Sequence, residues 1–173
     1  MKALEGLLSR ATLKVRCRCG AVVLTAIGKP ILVTVCGCSS CGEAGRILEK
    51  LPGAPPILDG NSGTPFVLFC KNRVECVSGG DRLREHRLEE TSPTRRVLAT
   101  CCNSFMFLDF TQGHWITLAR DRIEDAQSIA GAPKVDRDSG QFLGRLVFAW
   151  VAMGFRRPTI DFVSGKLDTA AAG

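Results

Sequence analysis

The sequence predicts a mainly β fold of short strands with a helical C-terminal extension. Apolar and polar residues alternate over "LKVRCRCGAVVLTAIG", the two-residue period of a half-buried strand, and short β-forming runs separated by turn residues continue to "SFMFLDF". Beyond that point the spacing becomes helical: Phe142, Leu143, Leu146, Val147, Trp150, Val151 and Phe155 share a segment of helical length. A third observation concerns the cysteines, which cluster at spacings that suit one metal ion better than a core.

Residues 1–12 read as a leader, with one helical turn around "LEGLLSR". From Leu13 the alternation predicts a hairpin turning near Cys19 and Gly20, and "KPILVTVCGC" is the next strand. "SSCGEAGRILEKL" follows as a short helix beginning near Ser39 or Ser40. A serine cap there would place Cys41 in the first turn, where the positive end of the helix dipole lowers a thiol pKa. "PGAPPILDGNSGTP" is dense in loop formers. "FVLFC" and "RVECVSG" are strands, Gly79-Gly80-Asp81 a turn, and "LREHRLE" a further strand. A turn at Ser92-Pro93 leads to two more strands flanking Cys101 and Cys102. "RIEDAQSIAG" and "SGQFLGRLVFAWVAMG" have helical length, and the ending is an extended tail. So wide an apolar face on the second helix must be covered, by its own domain in preference to a second copy in a homo-oligomer.

At 173 residues the chain suits one domain, and 45% hydrophobic with 23% charged residues is globular composition. The net charge of +6 invites a nucleic-acid reading, but the basic residues are scattered as "RDR", "TRRV" and "GFRRP", and there is no Tyr to stack on bases. Solvated charge is the better account. Glu5 and Arg10 interrupt the N-terminal apolar residues, so no secretory signal is expected. The longest apolar run, "LVFAWVAMGF", is half of the ~20 residues needed to span a bilayer, so a cytoplasmic protein with no membrane partner is expected. Nine cysteines then belong in a reducing compartment, as thiols or metal ligands.

"CRC" and "CGC" put thiols two residues apart and "CSSC" adds the C-x-x-C turn, so both sulfurs of a pair reach one ion at about 2.3 Å. Zn2+ suits thiolate-rich tetrahedral sites, and the spacings are not those of common ferredoxins. Two groups follow. Cys17 and Cys19, with help from Cys101 and Cys102, make a structural site; Cys36, Cys38 and Cys41 make a second, labile one with its fourth position open. Cys70 and Cys76 read as core, and His86 and His114 as isolated residues, His114 being the nearer to a pocket.

"CRCG", then "CGCSSC", "VSGGDRLREH" and "RRVLATCCNSFMF" resemble the glutathione-dependent formaldehyde-activating and centromere-protein-V family over residues 13–118. A branch of that family has a paired Cys-Cys in the last motif. The resemblance implies a β-tent, Mss4-like fold of small coiled sheets over residues 13–120, with residues 121–173 as an extension packing on the same domain. It also implies joining of formaldehyde to glutathione at zinc, with Cys36, Cys38 and Cys41 as the catalytic set. The last motif departs from the pattern: Ala99 stands at the first cysteine position and Asn103 replaces Gly. Neighbours on an extended strand point to opposite faces, so Cys101 either completes the first site through a bulge or faces the core, leaving three sulfurs. A carbon–sulfur lyase acting on a thiol–aldehyde adduct is the leading function. A zinc-stabilised binding module without turnover and a thiol redox sensor are the alternatives.

Overall fold

The computed structural model describes residues 12–168 and is mainly β. Strands β1 (Thr12–Arg16), β2 (Val23–Ile27) and β5 (Val74–Ser78) form a three-stranded antiparallel sheet in the order β1-β2-β5. A six-stranded antiparallel sheet runs β3 (Leu32–Cys36), β4 (Thr64–Cys70), β9 (Trp115–Ala119), β8 (Ser104–Phe110), β7 (Thr94–Ala99) and β6 (Leu83–His86). Helix α1 (Ser39–Leu48) follows β3, and α2 (Gly140–Ala152) lies in the C-terminal third.

The two-residue period of a strand decides how the layers assemble. Val67 and Phe69 of β4 face the small sheet, where Leu13, Val15, Leu24 and Ala26 meet them in one apolar cluster. Phe66 and Leu68, one residue out of phase, face the other way and join Leu48, Leu51, Cys36, Cys41 and Leu146 in a second cluster. The large sheet is thus covered on both faces, which is why "FVLFC" is an unbroken apolar run instead of an alternating one.

Several sequence expectations need correction. Thr12 already belongs to β1, pairing with Ile27, and the turn around "LEGLLSR" lies outside the described residues. "RIEDAQSIAG" is not a helix. One short 3-10 turn, Arg120–Arg122, ends at its first residue and another, Ala126–Ile129, lies within it, because the Asp125 side chain accepts from the Gln127 amide and Gly131 and Pro133 follow at once. Strand β9 adds to the six-stranded sheet and carries Trp115 at its start. The tail is extended but anchored, Glu85 donating its amide to Gly165 and accepting from that of Leu167. Only one side of α2 packs: Leu146 is 4% exposed and Trp150 stacks on His114 at 5.8 Å, whereas Leu143, Val147, Phe148 and Val151 face solvent.

An ion-pair chain that the sequence reading did not anticipate crosses the large sheet. Lys71 and Asp109 lie 2.8 Å apart with side chains 0% and 1% exposed, and Asp109 also accepts from Arg95 Nε at 2.8 Å. Arg95 in turn reaches Glu85, which pairs with Arg87. Removing one partner of a buried pair strands the other charge, so Asp109→Asn should destabilise the fold by about 3–5 kcal/mol. Urea unfolding measures this; an unchanged midpoint would show that Lys71 is neutralised some other way.

Candidate metal centres

The first cysteine group forms where two turns meet. β1 ends at Arg16 and the chain reverses through residues 17–22, with the Gly20 amide donating to Cys17 O at 3.0 Å and the Val22 amide to Cys17 Sγ at 3.3 Å. Gly20 sits at φ 79°, a left-handed backbone that costs glycine nothing. From the other side comes the β7–β8 turn, in which the Cys102 amide donates to Ala99 O. Asn103 follows at φ 49° and its side-chain amide donates to Pro52 O, so asparagine supplies the left-handed residue expected of it. The Arg18 amide donates to Ser104 Oγ at 3.0 Å and ties the two turns together.

Cys101 and Cys102 therefore lie in a turn and not on an extended strand, and the opposite-face argument does not apply to them. All four sulfurs, of Cys17, Cys19, Cys101 and Cys102, lie within 4.8 Å of one another. Cys17 is 3.5 Å from Cys19 and 3.7 Å from Cys101, and Cys19 is 3.4 Å from Cys101. A tetrahedron with 2.3 Å metal–sulfur bonds has edges of about 3.8 Å, so modest expansion fits a four-sulfur ion. Protonation follows the same geometry. Burial, with the crowding of the Cys19 and Cys17 sulfurs beside it, pushes the Cys101 thiol up to about 12, and burial raises that of Cys17. Burial acts in the same sense on Cys102, yet hydrogen bonds from Ser104 and Cys19 outweigh it and bring that thiol down to about 6. Four crowded sulfurs cannot all ionise alone; a divalent cation lets them.

The second group is built on the β3–α1 junction. Cys36 ends β3, Cys38 is the N-cap of α1, and Cys41 is in its first turn; the three sulfurs lie within 4.8 Å of one another. The expected serine cap is absent, because Cys38 takes the capping position with its sulfur 3.2 Å from that of Cys36. The expected fall in the Cys41 pKa is also reversed. Cys41 donates to Cys36, which together with burial raises its own pKa, and that hydrogen bond, opposed by burial and helped by the Cys38 amide and Arg137, lowers Cys36 to about 5. The stabilised thiolate at this junction is therefore Cys36, the last residue of β3 and five residues before Cys41.

A cavity of about 290 Å³ opens on Cys36 and Cys41. Its walls bring three groups that the sequence reading passed over. Arg137 donates from Nη1 to the sulfurs of both Cys36 and Cys38, the latter at 3.3 Å. Arg96 is 4% exposed, donates to Ser40 O at 3.0 Å, and has no carboxylate partner among the described residues. Thr34, 6% exposed and two residues before Cys36, has a hydroxyl with no partner. "TRRV" held the signal for Arg96: neighbours on a strand diverge, so Arg95 joins the ion-pair chain while Arg96 enters the cavity. Arg137 carried none, since only folding brings it across 101 residues to Cys36.

Cys70 and Cys76 belong to neither group. Cys70 is buried and Cys76 half-buried, and burial raises both thiols. His114 does not line the cavity; it is buried beneath Trp150, which holds its pKa below the ordinary value. His86 is half-buried at the end of β6 and likewise shifted down by burial.

Fold and sites together define the class: a mainly β protein with two cysteine groups, each of which could hold a metal ion. No family model matches the chain, and no curated protein matches it. Among solved structures, a Rhodobacter sphaeroides protein is similar at a TM-score of 0.47 and 14% identity, over 70% of this chain and 99% of that one.

Proposed function

We propose that the chain is a zinc enzyme that joins a small anionic thiol such as glutathione to formaldehyde, the chemistry of the glutathione-dependent formaldehyde-activating family that its motifs resemble. One observation carries the reading: Cys36 and Cys41 face a cavity whose other walls present Arg96 and Arg137, which pair with no carboxylate among the described residues, and a buried hydroxyl with no hydrogen-bond partner among them. A buried guanidinium without a counter-charge is costly, and an anionic ligand in the cavity supplies one for Arg96. Zn2+ on Cys36, Cys38 and Cys41 would supply Lewis acidity and lower the pKa of a bound thiol.

In the reaction the thiol sulfur bonds to the aldehyde carbon, the carbonyl π bond breaks, and the thiol proton ends on the former carbonyl oxygen. Arg96 holds a carboxylate of the thiol substrate, and the Thr34 hydroxyl fixes a second polar group. Arg137, the donor nearest the cysteine sulfurs, stabilises the alkoxide as it develops. Exchange spectroscopy on glutathione and formaldehyde with metal-loaded protein tests this. Acceleration over the spontaneous rate is expected, with Cys41→Ser abolishing it and Arg96→Gln raising KM by about 10-fold or more. Exchange at the spontaneous rate would leave the zinc-stabilised binding module as the better reading.

A further inference from the structure

Helix α2 exposes an apolar face that no described residue covers. At 100° per residue, Leu143, Val147 and Val151 fall along one stripe with Phe148 on its far side, while Leu146 and Trp150 lie on the adjoining stripe, which turns into the protein. Leu143 is 65% exposed and Phe148 76%, and Phe155 continues the face beyond the helix end. Single exposed apolar residues need no explanation, but five on one short segment do.

The charge around this face says what covers it. Residues 140–158 contain Arg145, Arg156 and Arg157 and no Asp or Glu. Beside Phe148 runs a groove of about 560 Å³ between α2 and the β domain, lined by Lys29, Arg73 and Arg145 with Ile31 and Met153, and by no carboxylate. None of those three cations forms an ion pair among the described residues. A second copy docked face to face would bring two sets of arginines together with nothing to offset them. An anionic amphiphile matches both halves of the surface: phosphate and carboxylate head groups for the cations, acyl chains for Phe148 and the stripe. No helix among the described residues is long and apolar enough to cross a membrane, so the contact lies in the interface plane.

We propose that the outer face of α2, with the Lys29–Arg73–Arg145 groove beside it, docks this protein on an anionic lipid surface. This stands independently of the metal chemistry. The expectation of no membrane partner rested on the length of the apolar run, which excludes a span and leaves surface docking open.

The test is co-sedimentation of the full, metal-loaded chain with vesicles of phosphatidylcholine alone and of phosphatidylcholine with phosphatidylserine, at low and high salt. Binding is expected only with phosphatidylserine, weakening with salt. Arg73→Gln with Arg145→Gln should weaken it about 30-fold, and Leu143→Ser with Phe148→Ser should remove it. All four side chains are exposed, so both variants should keep the parent's metal content and melting curve. Failure to bind either vesicle overturns the proposal. So does equal binding to both, or binding that neither variant changes. A light-scattering mass of two chains that the apolar variant returns to one would assign the face to a second copy instead.

Discussion

Cys17→Ser should lose the metal of the four-sulfur site and with it cooperative folding. The cluster joins the β1–β2 turn, on the small sheet, to the β7–β8 turn, on the large one. Apart from its sulfurs, the contact between these turns described above is the Arg18–Ser104 hydrogen bond, worth about 1 kcal/mol. A structural zinc site contributes an apparent 10–16 kcal/mol to folding, as much as the ~5–15 kcal/mol stability of a typical domain, so its loss exceeds what the apolar clusters can offset. Metal analysis and thermal unfolding of Cys17→Ser, Cys19→Ser and Cys102→Ser check this. Soluble variants that melt cooperatively and retain full metal would refute it. The structure adds Cys101→Ser to the series, because Cys101 lies in the cluster and not in the core.

The second large effect separates the two centres. A mild chelator should remove metal from Cys36, Cys38 and Cys41 and leave the fold standing, because that group offers three sulfurs and opens on a cavity, whereas the other offers four in a closed arrangement. The three residues sit at one strand–helix junction, already held by the β3–β4 ladder and by the burial of Cys36 and Cys41 in the second apolar cluster, so metal is not needed to join distant parts. The expected record is loss of one of two metal equivalents with the melting transition nearly in place, and loss of any thiol–aldehyde activity in parallel. Excess glutathione should compete for the same metal. One transition in which all metal and all structure disappear together would show that the centres are not separable.

The strands and the cysteine spacings were legible because both are local. Alternation at period two is written into "LKVRC" and "RRVLA", and C-x-C and C-x-x-C bring sulfurs together over a single turn whatever the rest of the chain does. Local signals misled where a tertiary partner or a single side chain outweighed them. "RIEDAQSIAG" has helical length, yet the Asp125 side chain and the following Gly and Pro hold it in short turns. Cys41 has the right place for a depressed thiol pKa, but Cys36 accepts its hydrogen. The extended-strand geometry applied to Cys101 and Cys102 let Cys101 join the ion only through a bulge; the turn brings both sulfurs to the group.

By itself the sequence determined a mainly β chain, a helix within residues 139–155, and cysteines at spacings that could hold metal ions, because periodicity and short-range ligand spacing do not depend on distant contacts. Only the tertiary structure decided the rest. It placed Cys101 as well as Cys102 beside Cys17 and Cys19, carried Arg137 onto the sulfurs of Cys36 and Cys38, and buried Arg96 in the wall of the cavity. It also turned half of the apolar face of α2 outward. These are long-range placements, fixed by how two sheets stack and which helix face they cover, and no local pattern encodes them.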